Sequence, residues 1–323
     1  MTVVVGSLGL APEQTLSAIG TASLAPSVRN SQPWRFRLLP DRIELHADPV
    51  HALPVTDPTG RELRLSCGAA LFTLRLALKS FGVRPLVTLL PDTAAPGLLA
   101  TVRLGGRVEL TDETRELLSV VPGRHTNRLP FAEVAVPVAH GQALVRAAEL
   151  ERSWLHIVSD QVERARLRYF VARADRLQKA DPAVVAELAA VTDAAGSASA
   201  PLRSHDEWWL GAAPPVLDGA LGEDREPEPL VVVLNSHYEG PLGELLAGQA
   251  LQRVLLTATT LGLSTSFLAQ PIEVGSVRAE LRRSLGGSLV PQTVLRIGYG
   301  TPAPPTPRRP VSDLLDEPTS AAR

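Results

Sequence analysis

The sequence predicts an α+β fold in which one unit of helices and strands occurs twice within a single chain. Three observations support this prediction: two long apolar helices of similar sequence, apolar runs with the alternation of strands, and enough length for about two domains. The 323 residues are 45% apolar and 20% charged, a composition typical of globular proteins.

A match without gaps between two helices indicates the duplication. Residues 68–76 align on residues 248–256, and the same offset pairs Gly82 with Gly262. Buried helices in general share Ala and Leu, so their similar surroundings are what favour duplication: each helix is followed by a strand-like run that ends in proline, at Leu89-Leu90-Pro91 and at residues 268–271. Both helices are apolar nearly all round, which places them in a protein interior. The predicted repeats are residues 1–110 and 111–323.

The first repeat contains two predicted helices and two pairs of strands. Pro12 lies in the first turn of the first helix. The second helix follows a turn in which Asp57 or Thr59 is a candidate N-cap, and it ends at Gly82. The first two strands alternate apolar and polar residues on either side of a Pro-Asp turn, as in a hairpin. The helices are predicted at 12–24 and 62–81, and the strands at 34–39, 42–47, 86–90 and 101–104.

The second repeat begins with a helix from Thr111 and contains a long irregular segment. Residues 181–229 hold Asp181-Pro182, an Ala/Gly/Ser run, Trp208-Trp209 and an acidic stretch. A connection of this length inside a compact protein is usually functional, so we expect a lid at about 181–229. Further helices are predicted at 137–150, 160–179 and 242–261, and further strands at 154–158, 230–234 and 293–297.

The net charge, the cysteine content and the apolar runs restrict the possible partners and location of the protein. The net charge of −2 argues against nucleic acid or an anionic membrane as partner. Cys67 is the only cysteine, so no disulfide can form within the chain, and its apolar setting predicts a buried residue rather than a nucleophile. The N-terminus lacks a basic flank, and no run of about 18 apolar residues occurs. We therefore expect a cytoplasmic protein.

Several common site motifs are absent from the sequence. No G-x-G-x-x-G follows a strand and no G-K-[ST] loop occurs, which argues against a Rossmann or P-loop nucleotide site. Neither H-E-x-x-H nor C-x-x-C is present, so we expect no metal site. The serines lack a G-x-S-x-G setting, and a hydrolase triad is not indicated.

The most informative stretch is residues 25–36, A-P-S-V-R-N-S-Q-P-W-R-F. Pro26 and the proline after Gln32 fix φ at two points and predict a stiff loop at the mouth of a strand. The loop presents Ser27, Arg29, Asn30 and Gln32 as donors and acceptors. Asn and Gln offer both N–H and C=O, which suits a flat heterocycle with a hydrogen-bonding edge. A merely stiff turn before a hairpin is the alternative interpretation.

This stretch resembles the A-P-S-x-x-N-x-Q-P-W-x-F signature of the nitroreductase superfamily of FMN-dependent oxidoreductases. It is similar to the long, two-repeat Acg-type branch known from actinobacteria. Nitroreductases are intertwined homodimers in which both subunits hold each FMN. The resemblance therefore implies a nitroreductase-like fold duplicated in one chain as a pseudo-dimer, with one complete FMN site per chain and one degenerate site. A fused pseudo-dimer need not dimerise again, so we expect a monomer.

Three further stretches resemble segments of the same family. Residues 124–128, R-H-T-N-R, are similar to the R-[RH]-S-x-[RK] start of a subunit, and residues 270–273 to the P-x-E-G segment that lies along the flavin ring. Arg308-Arg309 is similar to a C-terminal basic pair. The resemblance implies the following FMN-binding residues, with no catalytic side chain: Pro26, Ser27, Arg29, Asn30, Gln32, Arg124, His125, Thr126, Arg128, Gln270, Pro271, Glu273, Val274, Arg308 and Arg309.

The roles implied for these residues follow the charge of the cofactor. Arg124, Arg308 and Arg309 would offer fork-shaped donors to the FMN phosphate. Arg128 would lie near flavin N1, and the backbone N–H groups of Glu273 and Val274 would face N5 and O4. Val274 departs from the family pattern because glycine is usual there, which puts close backbone approach in doubt. Arg29 fills a variable position, and its role stays open. The alternatives are a solvated tail at Arg308-Arg309, surface charges around a loop at Arg124 and Arg128, and a helix N-terminal carboxylate without flavin contact at Glu273.

Three functions of different classes are compatible with these residues. The leading hypothesis is an FMN-dependent oxidoreductase that takes electrons from NAD(P)H and passes them to a nitroaromatic, quinone or similar flat acceptor. The second is a lidded protein that binds or stores flavin with little or no NAD(P)H-dependent turnover. This hypothesis requires Trp208-Trp209 to pack over the flavin. The third is an interaction module without a cofactor.

Overall fold

A computed structural model describes residues 6–194, 229–301 and 304–316 of the chain. Contacts divide these residues into two compact units. The first contains the described residues up to Arg124, together with Tyr238–Leu256 and the described residues from Thr306 onward. The second contains the described residues of His125–His237 and Thr257–Pro305.

Each unit contains a four-stranded antiparallel sheet, and helices pack on both sheets. The helices are α1 (Pro12–Ala22), α2 (Arg61–Ser80), α3 (Asp112–Ser119), α4 (Val138–Glu149), α5 (Gln161–Ala180), α6 (Pro182–Ala194), α7 (Pro241–Thr260), α8 (Gln270–Glu273) and α9 (Gly275–Ser284). The strands are β1 (Trp34–Leu38), β2 (Arg42–Ala47), β3 (Val83–Leu89), β4 (Leu98–Arg107), β5 (Ser153–Ile157), β6 (Leu230–Ser236), β7 (Ser264–Phe267) and β8 (Val290–Gly298). The predicted mixed helix and sheet fold is confirmed.

The hairpin of β1 and β2 forms as its alternation predicts. Phe36 pairs with Leu45, and Trp34, Phe36, Ile43 and Leu45 are all fully buried. Residues of α1 and α2 complete the core on this face of the sheet, whose strand order is β1-β2-β4-β3. Pro85 lies in β3, which is an edge strand with an irregular register, so its missing N–H costs no central ladder bond.

The start and end of α2 have identifiable causes. Gly60, with φ of +68°, is the N-cap residue. The carboxylate of Asp57 accepts a hydrogen bond from the backbone N–H of Leu63 at 2.9 Å, so Asp57 satisfies one of the free amides at the helix start. Gly82, with φ of +73°, follows the helix as predicted. Cys67 is fully buried in α2, as predicted.

The backbones of α2 and α7 are in contact at Gly68 and Gly248, the two glycines that the sequence alignment pairs. A Cβ placed on Gly248 would lie 2.1 Å from the carbonyl oxygen of Leu65 and 2.8 Å from the Cα of Gly68. A Cβ on Gly68 would lie 2.4 Å from the carbonyl oxygen of Leu245. Only glycine permits this approach at either position.

The side-chain contacts around this crossing are reciprocal. Gln252 Nε2 donates to Thr73 Oγ1 at 3.0 Å, and the guanidinium of Arg253 lies 5.9 Å from the centre of the Phe72 ring. In the sequence alignment Gln252 is equivalent to Phe72, and Arg253 to Thr73. The two contacts are therefore two copies of one pairing, which is what an isologous interface between equivalent helices produces.

The second unit has the same strand order as the first, β5-β6-β8-β7. In both sheets the second and third strands of the chain order are separated by a long helix, α2 in one case and α7 in the other. The core of the second unit includes Phe170 and Val171 of α5, with Val233 and Val294 of the sheet. The shared topology supports the predicted duplication. The repeat boundary at residue 110 stays a prediction.

Parts of the second repeat differ from the prediction. The run at 268–271 that resembled a strand is not one. The strand before it, β7, ends at Phe267, and the run leads into α8, because Pro271 is well suited to the first turn of a helix. Helix α9 was not predicted. Residues 182–194 of the predicted lid form α6, while Trp208-Trp209 and the rest of 195–228 lie outside the described residues. No helix in the described ranges has the length and apolar character needed to cross a membrane.

Gly248→Ala should destabilise the protein by about 1–3 kcal/mol or more, because the added methyl group would overlap backbone atoms of α2. Urea denaturation of the wild type and the variant measures the free energy of unfolding. Gly20→Ala in α1 is the matched control, since its Cβ would lie 3.5 Å from Val311 Cγ2, an ordinary contact. The control should be neutral or stabilising by up to about 1 kcal/mol. Equal effects of the two substitutions would contradict the backbone contact between α2 and α7.

Candidate functional site

The loop between Ala25 and Trp34 is held in an unusual backbone conformation. Arg29, Asn30 and Gln32 have φ of +48°, +59° and +49°. Positive φ is uncommon for residues other than glycine and costs roughly 1–2 kcal/mol for each one. Conformations of this kind persist only where surrounding contacts hold them, and they cluster at ligand sites. The shape of the loop is therefore set by contacts that its prolines do not specify, and the stiffness expected from the prolines stays a prediction.

Two contacts fix the loop from within and from α2. The backbone N–H of Gln32 donates to Ser27 Oγ at 2.9 Å. The N–H of Val28 donates to Ser66 Oγ of α2 at 3.1 Å. The Ser27 hydroxyl thus accepts a hydrogen bond inside the loop, whereas the sequence prediction assigned Ser27 to a ligand. Pro26 is buried, and Gln32 is only 4% exposed.

The described end of the chain, residues 304–316, lies against this loop, and we call it the C-terminal segment. Arg308 Nη1 donates to Asn30 Oδ1 at 2.9 Å, and Asn30 Nδ2 donates to the carbonyl of Pro307 at 3.0 Å. Arg308 also donates to Thr306 Oγ1 at 2.6 Å and to the carbonyl of Leu24 at 3.3 Å. The sequence prediction that Asn30 and Arg308 belong to one site is consistent with these contacts.

Arg309 binds the loop and a buried carboxylate. Its backbone N–H donates to Gln32 Oε1 at 2.9 Å, and its Nη1 donates to the carbonyl of Gln32 at 3.0 Å. The same Nη1 lies 3.1 Å from Asp48 Oδ2, and Asp48 is 1% exposed. Sequence reasoning placed Arg309 on a phosphate and did not select Asp48. An acidic residue before proline at the end of β2 was the one signal available for Asp48.

The rest of the C-terminal segment is anchored in the first unit. Leu314 is fully buried in its core, and Leu315 forms a parallel bridge with Phe36 of the edge strand β1. Arg35 Nε lies 2.6 Å from Asp316 Oδ1. The segment therefore covers the open edge of the sheet, which supports its position beside the loop.

Arg124 is a buried cation without a compensating anion in the described ranges. It is 3% exposed, and its Nε and Nη1 atoms have no hydrogen-bond partner there. Burial, with a smaller effect from the charge of Arg308, lowers the pKa of Arg124 to about 9. Burial also lowers the pKa of Arg308, whose Nε likewise lacks a partner. A buried charge without a partner is costly, so this pair of guanidiniums is suited to binding an anion.

The next predicted residues lie in the second unit. Thr126 forms a parallel bridge with Thr265 of β7, and the N–H of Asn127 donates to the carbonyl of Thr265 at 2.7 Å. His125 is half-buried. Arg128 reaches the surface, although partial burial lowers its pKa. Thr126 is thus fixed by the sheet through its backbone, which leaves its hydroxyl for other contacts.

The segment resembling P-x-E-G forms helix α8, and its amides are used within the helix turn. The N–H groups of Glu273 and Val274 donate to the carbonyls of Ala269 and Gln270 at 3.0 and 3.2 Å. Glu273 Oε2 accepts a hydrogen bond from Gln178 Nε2 of α5 at 2.5 Å. The family resemblance implied that these two amides face a ligand, whereas the helical turn gives them intramolecular acceptors.

The predicted site residues therefore fall into two groups by unit. Within the first unit the structure links the loop and the C-terminal segment by hydrogen bonds, and Arg124 interacts electrostatically with Arg308. The group in the first unit is Pro26, Ser27, Arg29, Asn30, Gln32, Arg124, Arg308 and Arg309; the group in the second unit is His125, Thr126, Arg128, Gln270, Pro271, Glu273 and Val274. Among the residues that the structure describes, no group of three His, Cys, Asp or Glu side chains is arranged to hold a metal ion.

Comparison with known proteins gives relatives along nearly the whole chain. A protein of Mycobacterium tuberculosis H37Rv named "Putative NAD(P)H nitroreductase Rv3131" is 32% identical over 327 residues, covering 96% of this chain and 93% of the relative. A second from the same strain, "Putative NAD(P)H nitroreductase acg", is 30% identical over 315 residues and 93% of this chain, covering 94% of the relative. No protein-family model matches the chain.

Solved structures give weaker similarities. The FMN-dependent nitroreductase NfnB from Mycobacterium smegmatis in complex with NADPH is 16% identical, with a TM-score of 0.44 over 66% of this chain and 100% of that one. A nitroreductase with bound FMN from Desulfitobacterium hafniense is 16% identical, with a TM-score of 0.41 over 61% of this chain and 95% of that one.

Arg124→Met should stabilise the ligand-free protein by roughly 1–3 kcal/mol, because it removes a buried charge that lacks a partner and keeps most of the side-chain volume. Urea denaturation in a buffer free of phosphate and sulfate measures this change. Arg115→Met, at an exposed ion pair with Asp112, should change stability by no more than about 0.5 kcal/mol. A clear loss of stability in Arg124→Met would show that the guanidinium already has a stabilising partner.

Proposed function

The chain belongs to the nitroreductase superfamily, and we propose that it is an FMN-binding oxidoreductase that uses NAD(P)H to reduce a nitroaromatic, a quinone or a similar flat acceptor. We propose one FMN for each chain, held by residues of both sequence repeats. The proposal extends the family assignment to a cofactor, a donor and an acceptor class.

The observation that carries the proposal is the buried guanidinium of Arg124. Its Nε and Nη1 donors lack partners among the described residues, and the charge of Arg308 adds to the positive potential. A phosphate group is dianionic near neutral pH, and guanidinium forks match its oxygens. The residues present therefore fit the phosphate end of FMN.

The loop and the C-terminal segment support a site made by both repeats. Asn30 and Gln32 come from the first repeat, while Arg124 and Arg308 come from the second, and all four lie in the first unit. Arg309 is less suited to the phosphate because Asp48 already neutralises it at 3.1 Å. In this proposal Arg124 and Arg308 bind the phosphate, and Arg309 supports the loop.

As the family resemblance implies, we assign the remaining predicted residues to the ring end of the cofactor. Arg128 is the candidate for the region near flavin N1, where a cation stabilises negative charge on the reduced ring. Gln270, Pro271, Glu273 and Val274 form a compact turn in which the amides of Glu273 and Val274 bond within the helix and the Glu273 carboxylate accepts a hydrogen bond from Gln178. When bound, FMN would supply two-electron redox chemistry between a nicotinamide donor and the acceptor.

A monomeric state is also proposed. Nitroreductase-type dimers are replaced here by pairing of α2 with α7 inside one chain, where Gly68 and Gly248 bring the backbones together. A second interface of this kind, between two copies of the chain, is therefore not required.

Purified protein should be yellow and contain close to one FMN for each chain, and Arg124→Gln should lower its affinity for FMN at least tenfold. Loss of a charge-assisted bond to phosphate accounts for a change of this size. Visible spectra, cofactor extraction and fluorescence titration measure both quantities. Arg115→Gln is the control and should bind FMN like the wild type. A colourless protein that does not bind added FMN would refute the proposal and favour an interaction module.

Anaerobic addition of NADPH to the FMN-loaded protein should bleach the flavin absorbance within seconds. The same flavin should be reoxidised by a quinone or a nitroaromatic compound. Bleaching by dithionite but not by NADPH or NADH would refute turnover and support the alternative, a flavin-binding protein.

A further inference from the structure

The loop at residues 26–32 needs outside support to keep its shape. Its three residues with positive φ, Arg29, Asn30 and Gln32, each cost free energy relative to an ordinary conformation. The bonds within the loop, from the amide of Gln32 to Ser27 Oγ and from the Gln32 side chain to the carbonyl of Asn30 at 3.3 Å, do not reach any other element. An unsupported loop would therefore populate other conformations.

The C-terminal segment supplies much of that support at two of the three positions. Asn30 forms hydrogen bonds with Arg308 and with the carbonyl of Pro307. Gln32 accepts hydrogen bonds from the backbone N–H and from the guanidinium of Arg309. The guanidinium contact with the Gln32 carbonyl requires Arg309 to hold one rotamer, and a free arginine side chain loses considerable rotamer entropy in doing so.

Asp48 helps to fix that rotamer, together with the carbonyl of Asp313, which accepts a hydrogen bond from Arg309 Nη2 at 2.8 Å. The Asp48 Oδ2 atom lies 3.1 Å from Arg309 Nη1, and the carboxylate is almost completely buried. Two other groups hold the carboxylate itself, and a backbone hydrogen bond ties Asp48 to the loop. The N–H of Val50 donates to Oδ1 at 3.2 Å, His51 Nδ1 lies 2.8 Å from Oδ2, and the backbone N–H of Asp48 donates to the carbonyl of Pro33 at the end of the loop.

We propose that Asp48 is a positioning residue for flavin binding, which acts by holding Arg309 against Gln32 and so keeps the loop in its binding conformation. The inference rests on the proposed function, because the loop is taken to contact the flavin. It also assigns Arg309 to the loop and not to the phosphate. Since apparent affinity falls with the populated fraction of the competent conformation, reducing that fraction to about one tenth weakens binding about tenfold.

The test compares FMN with riboflavin, which lacks the phosphate. Asp48→Asn keeps the shape of the side chain and removes its charge. It should weaken binding of FMN and riboflavin by the same factor, about tenfold, whereas Arg124→Gln should weaken FMN binding selectively. Asp41→Asn, at the exposed turn of the β1–β2 hairpin, is the control and should leave both dissociation constants unchanged. A selective effect of Asp48→Asn on FMN would overturn the proposed positioning role.

A double-mutant cycle with Arg309→Gln tests whether the two residues act together. If Asp48 works through Arg309, the double variant should bind flavin no more weakly than Arg309→Gln alone. Additive losses would overturn the inference. A purely structural role predicts lower stability with unchanged affinity in the folded protein, so an unchanged affinity for Asp48→Asn would also overturn it.

Hydrogen exchange of the flavin-free protein separates this inference from the proposed function. The amides of Gln32 and Arg309 should exchange at least about tenfold faster in Asp48→Asn than in the wild type, because the opening equilibrium of the loop shifts by that factor. Amides of β6 and β8 should be unchanged. Unchanged exchange in the loop would overturn the inference alone, while failure of the wild type to bind either flavin would overturn the proposed function and the flavin-positioning role with it.

Discussion

The backbone contact between α2 and α7 at Gly68 and Gly248 is the constraint on which the first unit depends. It brings a helix of the second repeat into the core of a unit built mainly from the first. Arg64 and Glu244 occupy equivalent positions on the two helices, and their side chains form a 2.5 Å ion pair. Identical subunits would place like charges there. A fused chain is free to place opposite charges at equivalent positions, which favours pairing within one chain over pairing between copies.

The C-terminal segment couples the repeats a second time, at the candidate site. Residues from the end of the second repeat fix the strained loop of the first, through hydrogen bonds to Asn30 and Gln32. A site of this kind is complete only when both repeats are folded. The same arrangement explains why Arg308 and Arg309, which are adjacent in sequence, differ in role. Arg309 is neutralised by Asp48, whereas Arg308 keeps its Nε donor without a partner among the described residues.

The buried charge of Arg124 illustrates how binding and stability oppose one another. A guanidinium held away from water without an anion lowers the stability of the ligand-free protein, and the same lack of a partner leaves its donors available to a ligand. Desolvation makes it a weaker cation, with a pKa of about 9, yet one that remains charged at neutral pH. Its electrostatic interaction with an anion is strengthened by the low-polarity surroundings.

The sequence by itself determined the long helices, the β1–β2 hairpin and the family, because apolar periodicity and a stiff, proline-bracketed signature are local properties of the chain. It also aligned Gly68 with Gly248, while the close contact that requires glycine at both positions was shown only by the structure. Only the tertiary structure decided the partners of Arg309, the burial of Arg124 and the helical form of the segment at Pro271. The first two depend on groups distant in sequence, about which a local pattern carries no information. The third depends on a proline that is compatible with both the end of a strand and the start of a helix.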